Sequence, residues 1–150
     1  MIAIHCDTGE VVHVDGDSLV SASLSCTNLH RAQLDDFDVS LANFDGADLR
    51  AASLENTNAS GASFSKASLI AVWAKKANFT DAKLIESRLI CGNFENACFK
   101  SADLTNADLD QANLIGCDFT NAILGGATFR ECKFDASTIW PEGFSLPKSN

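Results

Sequence analysis

Residues 99–119 read FKSADLTNADLDQANLIGCDF, and the spacing inside that stretch decides the fold. Leu104, Leu109 and Leu114 follow at steps of five between Phe99 and Phe119. Two residues before these large side chains stand small ones, Ala102, Ala107, Ala112 and Cys117. The residue between each small and large pair is polar: Asp103, Asp108, Asn113 and Asp118. Small, polar, large is the alternation of a short strand with two side chains inward and one outward. Followed outward in both directions, the five-residue step runs from Leu19 to Ile139 in a register read here as unbroken. Of its 25 large positions 21 are Leu or Phe, and 15 of the paired small positions are Ala, far beyond chance.

A period of five fits neither ordinary element. On a helix, five residues advance about 500° and spread the Leu/Phe positions over every side. On one straight strand an odd step sends successive large residues to opposite faces. If the chain turns a corner after each short strand, every Leu/Phe points at one axis. Four right-angle corners then close a coil, so the true period is 20. The expected ladders are Leu19, Val39, Ala59, Phe79, Phe99, Phe119 and Ile139 on one side and Leu24, Phe44, Phe64, Leu84, Leu104 and Leu124 on the next. Leu29 to Phe129 and Leu34 to Phe134 supply the other two. The expectation is an all-β, four-sided β-helix of about six coils stacked at the strand spacing of ~4.8 Å.

The run LANFDGADLRAASLENTNASGASFSKASL (residues 41–69), like the opening stretch, resembles the A(D/N)LXX consensus of the pentapeptide-repeat family. The resemblance covers residues 17–139 and implies a right-handed quadrilateral β-helix. Thr138-Ile139-Trp140-Pro141-Glu142-Gly143-Phe144 also resembles a T-x-WPEGF tail that follows many bacterial repeats of this kind.

Residues 1–16 alternate as Ile2, Ile4, a turn at Asp7-Thr8-Gly9-Glu10, then Val12 and Val14, which predicts a β-hairpin cap. Residues 140–150 form a capping tail in which Trp140, Phe144 and Leu146 cover the last coil, with Pro141 and Pro147 blocking further pairing. Those aromatics also suit a homodimer through the C-terminal end, and the reading leans towards the dimer over a fold-back lid. Within the repeat, Phe37-Asp38-Val39 and Val72-Trp73-Ala74 exchange large and small positions. Ala59 lacks such compensation, which predicts a void or bulge there.

The net charge of −9 argues against direct nucleic-acid binding, which needs a cationic face. The longest apolar run, Leu69 to Ala74, is too short to span a bilayer, and the first residues lack a signal-peptide pattern, so a cytoplasmic location is expected. Catalysis finds little to use: no nucleophile–base pair, phosphate loop or metal motif is present, and no cofactor or metal is expected. His5, Cys6 and His13 match no zinc spacing and read as polar hairpin residues. Cys6 and Cys26, 20 apart, could stack, and Cys117 and Cys132 read as inward packing residues.

Charge is distributed unevenly. Residues 1–60 carry −8, residues 61–100 carry +3, and residues 101–150 carry −4. In the basic middle Trp73 occupies an outward position, Ile70 and Ile90 should stack at a corner, and Lys75, Lys76 and Arg88 surround them. That group is the candidate protein-interaction surface. The expected function is a non-catalytic interaction or scaffold protein whose partner is unknown. The resemblance implies an alternative, a DNA-mimicking modulator of type II topoisomerase (gyrase). Rows of carboxylates at Asp48, Asp103, Asp108 and Asp118 would be its basis, against which stands the basic middle. Small-ligand or metal binding is disfavoured because Leu and Phe fill the axis.

Overall fold

The computed structural model describes residues 1–146. Pro147 and its expected role lie outside the described residues. Each five-residue unit contributes one short β segment centred on its polar middle residue, and each such residue pairs in parallel with the one 20 positions on. Ser23 pairs with Asn43, Asn43 with Ser63, Ser63 with Lys83, and so on along all four sides to Asn113 with Lys133. A 20-residue coil with four sides is therefore the repeating unit.

The backbone accounting explains why a chain can turn a corner every five residues. In the unit 47–51, the Ala47 N–H closes a turn on Phe44 O at 2.9 Å. The Asp48 N–H reaches back to Thr27 O in the preceding coil at 3.0 Å, and the Leu49 and Ala51 N–H groups reach forward to Ser68 O and Ile70 O at 2.8 and 2.9 Å. The fifth donor, Arg50 N–H, is taken by the Asp48 side chain at 3.1 Å. All five amide donors are thus satisfied, as a closely stacked backbone requires. The corner itself turns through a left-handed residue in each unit: φ is 53° at Ala51, 57° at Asn56, 66° at Gly61 and 59° at Lys66. Non-glycine residues adopt this region at a cost of roughly 1–2 kcal/mol, which the stacking of coils on both sides offsets.

The inward positions form one continuous core. Leu29, Leu34, Phe44, Leu49, Phe64, Phe79, Phe94, Phe99, Leu104 and Phe119 are all fully buried. Phenylalanines of successive coils lie face to face, Phe44 on Phe64 with ring centroids at 4.8 Å, Phe79 on Phe99 and Phe99 on Phe119 at 5.0 Å. Phe94 meets Phe99 edge-on at 5.5 Å from the adjoining side. The exchanged units keep their volume inside, since Val72 and Ala74 are both buried, as is Val39 beside a half-buried Phe37. No bulge occurs at Ala59. The ladder runs straight through Asp38, Asn58 and Asn78, and the neighbouring Thr57 hydroxyl is buried and donates to Leu34 O at 2.7 Å.

The unbroken register needs one correction, at its C-terminal end. Asp118 pairs with Ile139, 21 residues on, and Ile139 points out with half its surface exposed. The extra residue is absorbed in a turn where Thr138 N–H bonds to Asp135 O and Asp135 Oδ1 takes the Ser137 N–H. Thr138 then fills the small inward place, its hydroxyl donating to Leu114 O at 2.9 Å. Trp140 takes the large one, stacked on Phe119 at 5.0 Å.

At the other end, strand β1 (Ile2–His5) pairs antiparallel with β2 (Val11–Val14). Cys6 and His5 continue onto the first coil, Cys6 bridging Ala32 and Gln33 N–H bonding to His5 O at 2.8 Å. Cys6 therefore does not stack on Cys26, which is exposed at a corner.

Candidate functional site

Four outward rows result from the 20-residue period, and they sort the candidate residues. One row reads Asn28, Asp48, Ser68, Arg88, Asp108 and Thr128; the adjoining one reads Gln33, Ser53, Trp73, Asn93, Asn113 and Lys133. Ile70 and Ile90 belong to the corner between them and stack in successive coils, with Ala71 N–H bonded to Ile90 O at 2.9 Å. Both isoleucines are half-buried. Trp73 is 54% exposed on one side of that corner, and Arg88 is exposed on the other. Lys75 and Lys76 lie beyond Trp73 at the opposite corner of its face. The group thus spans two adjoining faces. Lys75 is engaged by Glu95 at 3.2 Å, and Lys100, further along the band, by Asp118 at 3.4 Å. Among the described residues Lys66, Lys76, Lys83 and Arg88 make no salt bridge.

Trp73 also closes one end of an open groove of about 530 Å³ lined by His30, Arg31, Gln33, Ala51, Ser53 and Asp7 of the hairpin turn. The sequence reading missed this groove. Its only sequence signal was the short side chains of Ser53 and Ala51 one coil before the indole.

The outward Asn and Asp residues are structural parts of the corners. Asp38, Asn43, Asp48, Asn58, Asn78, Asn93, Asp103, Asp108, Asn113 and Asp118 each accept the N–H two residues on, the Asx geometry that satisfies a turn donor. Asp35, Asp45 and Asp110 do the same for Glu55, Ser65 and Arg130 of the next coil. These acids are therefore engaged in local contacts. Asp48 lies below the ordinary carboxylate range chiefly through its hydrogen bond from Arg50. Burial opposes ionisation of Asp110, but the Arg130 backbone N–H and guanidinium outweigh it and the carboxyl is lowered. The expected carboxylate row does not form: Asp48 and Asp108 share a face with Ser68 and Arg88 between them, while Asp103 and Asp118 lie on two other faces.

The band between residues 66 and 100 departs from this scheme. Its middle residues Ser68, Trp73, Lys83, Arg88 and Cys98 supply no cap. The N–H groups of Ile70, Lys75, Ile85, Ile90 and Lys100 then find no acceptor, five clustered cases against three scattered ones (Ser25, Asp35 and Gly125) in the rest of the repeat, although Thr80 and Glu95 in the same band are capped by Asn78 and Asn93. Ser68 Oγ is enclosed without a partner, the one such buried side-chain atom among the described residues.

Among the described residues no three His, Cys, Asp or Glu side chains are placed to hold a metal ion. Cys117 is buried, its thiol donating to Phe94 O at 2.9 Å, and burial pushes its pKa up to about 12. At the C-terminal end Trp140 meets Phe129 and Phe134 edge-on at 5.5 and 5.8 Å, and Phe144 lies over Trp140 at 5.3 Å. Leu146 packs against the same cluster. The tail is thus folded back as a lid, leaving Phe134 and Ile139 about half exposed.

A four-sided coil built from capped five-residue units defines a solenoid of the quadrilateral β-helix class, right-handed in its hand. The chain belongs to the pentapeptide-repeat family: the family pattern "Pentapeptide repeats" fits in eight copies over residues 42–79, 62–100, 77–114 and 97–135. Among solved structures it is similar to the pentapeptide repeat protein Rfr23 of the cyanobacterium Cyanothece 51142, at 29% identity and a TM-score of 0.61, over 62% of this chain and 63% of that one. It shares the fold of HetL, a pentapeptide repeat protein involved in heterocyst differentiation regulation in Nostoc sp. strain PCC 7120. There the identity is 24% and the TM-score 0.50, over 76% of this chain and 58% of HetL. The chain spans about three-fifths of the length of each of these proteins. A weaker likeness, TM-score 0.43 at 25% identity over 76% of this chain and 65% of that one, links it to QnrB1, a plasmid-mediated fluoroquinolone resistance protein. No curated protein matches the sequence. Among the described residues no helix is long and apolar enough to cross a membrane.

Proposed function

We propose that the chain is a non-catalytic cytoplasmic interaction protein that docks a partner protein on the band of residues 66–100, with Trp73 at its centre. The observation that carries this reading is the loss of corner caps in that band. An Asn or Asp at the middle position satisfies a turn amide at a net gain of about 1 kcal/mol. Trp73, Lys83 and Arg88 give that up and place an indole and two cations on the surface instead. Local rules are broken in this way at functional sites. Trp and Arg are also the side chains that dominate binding energy at interfaces.

The dispersal of Asp48, Asp103, Asp108 and Asp118 over three faces supports a protein partner over imitation of DNA. The experiment is affinity capture from the native host with wild type, Trp73→Asp and, as a control on the same face, Asn113→Asp. The reading expects one protein retained by wild type and the control and lost with Trp73→Asp. Equal retention by all three overturns it. A gyrase supercoiling assay separates the alternative, since inhibition abolished by neutralising Asp48, Asp108 and Asp118 together would replace this proposal.

A further inference from the structure

The docking reading can be taken one step further, to the chemistry of the partner, and this inference rests on that reading. The Asp48 face shows what its corners hold when they are complete. Asp48 Oδ1 accepts the Arg50 N–H at 3.1 Å, while its carboxylate takes the Arg50 guanidinium at 2.8 and 2.6 Å. Three coils on, Asp108 Oδ1 accepts the Asp110 N–H at 3.1 Å. Between these two, Ser68 and Arg88 occupy the equivalent positions, and the Ile70 and Ile90 N–H groups face outward without an acceptor. They belong to successive coils and so lie about 5 Å apart. At the other corner of the same face the Ile85 N–H is unpaired too, with Lys66 exposed beside it; Lys83, on the next face, adds a further cation. Two carboxylates of the chain stand at that corner, Glu86 and, two coils earlier, Asp45, which is already engaged by the Ser63 hydroxyl and the Ser65 N–H.

We infer that this patch receives the carboxylates of an acidic helical segment of a partner protein. Carboxylates would accept from the Ile70 and Ile90 amides, with Arg88 as counter-ion. The chain's own Asp48 with Arg50 is the template for that contact. Neighbouring carboxylates at i and i+4 of a helix are separated by about 5–6 Å at Cβ, which matches the coil spacing. Charge-assisted hydrogen bonds to a carboxylate are about twice as strong as neutral ones, so two such contacts beside a flat Ile and Trp surface make a specific dock. A long polyanion fits less well. The segments flanking the band carry −8 and −4, which repel nucleic acid running along the rod. A short acidic helix can stay within the positive band.

The test uses a short alanine-based helical peptide with Glu at successive i, i+4 positions, its Gln counterpart, and single-stranded DNA of similar length. Wild type should bind the Glu peptide at low salt at least about tenfold more tightly than the Gln peptide. The decisive variant is Ser68→Asn, which changes no charge and supplies the Ile70 amide with its own cap. The expected result is a melting temperature at or above wild type together with weaker binding of the Glu peptide. Arg88→Gln should weaken binding through the charge alone. Equal affinity for the Glu and Gln peptides, unchanged binding by Ser68→Asn, or tighter binding of DNA than of the peptide overturns the inference. If the Glu peptide fails while capture of a partner still depends on Trp73, the acidic chemistry is wrong and the docking surface stands.

Discussion

Phe99 is the residue whose removal tests the stacked core most sharply. Its ring lies between Phe79 and Phe119, at 5.0 Å from each and within 8° of parallel, and Phe94 meets it edge-on at 5.5 Å. It is fully buried. Phe99→Ala deletes a ring in mid-ladder, where neither neighbour can move inward because each is fixed by its own coil's backbone bonds. A buried Phe→Ala change costs about 3–5 kcal/mol. The loss of aromatic contacts on three sides, each worth about 0.5–1.5 kcal/mol beyond area, places this site at the upper end of that range, near 5 kcal/mol. Phe134→Ala is the internal comparison. Phe134 is 46% exposed at the last coil and touches only Trp140 among aromatic rings, so about 1–2 kcal/mol is expected. Urea denaturation followed by far-ultraviolet circular dichroism, with equal m-values, measures both. A Phe99→Ala loss below about 2 kcal/mol, or one no larger than that of Phe134→Ala, would refute the continuous ladder.

Acid should destabilise the rod through its capping carboxylates. Asp48, Asp110 and Asp118 are lowered in the folded chain, so the stability they contribute is present above the ordinary carboxylate pKa of about 3.9 and is lost as pH falls through their folded values. The melting temperature should stay level from pH 7 to about 5 and drop below about 4, less steeply in Asp110→Asn; a level profile to pH 2 contradicts this. Thiol labelling at pH 8 should modify the exposed Cys26 and Cys91 rapidly and Cys117 only on unfolding, because burial holds its pKa at about 12; prompt native-state labelling of Cys117 would contradict its inward position. Sedimentation at micromolar concentration should give a single-chain mass, since Trp140 and Phe144 are engaged within the chain's own lid. A mass of two chains that halves when residues 140–150 are removed would show instead a homodimer through the C-terminal end.

The period, the inward ladders and the outward place of Trp73 were legible because five-residue spacing encodes them directly. Other features needed the corner geometry. The left-handed residue of each unit is glycine or asparagine in some units but Lys66, Ala71 or Glu86 in others, and stacking enforces it where propensity does not. The role of Asn and Asp as caps is not encoded in the spacing, which marks them only as the polar residue between two inward ones. Only when the caps are known do their absences at Ile70 and Ile90 become a signal. The slip after Phe134 was hidden by composition: Ser137 and Thr138 are both small, and the five-residue step chose Ser137 with Ile139. The larger Trp140 fills the ladder better, and its partner Thr138 repeats the hydroxyl-to-carbonyl contact that Thr57 makes earlier in the rod. The tail was read as favouring a second copy because two large aromatics exceed one coil end. Their mutual stacking over Phe119 and Phe129 shows how one chain accommodates both.

If the uncapped band is where this protein meets its partner, the amides that lack caps must respond to binding. Nuclear magnetic resonance of the isotopically labelled chain during addition of the Glu-bearing helical peptide resolves this, because each amide reports separately. Downfield shifts of the Ile70 and Ile90 amide protons are expected, with a change at the Trp73 indole, while the capped amides of Arg50 and Asp110 on the same face stay in place. Shifts confined to the two ends of the rod, or spread evenly over capped and uncapped corners, would contradict it.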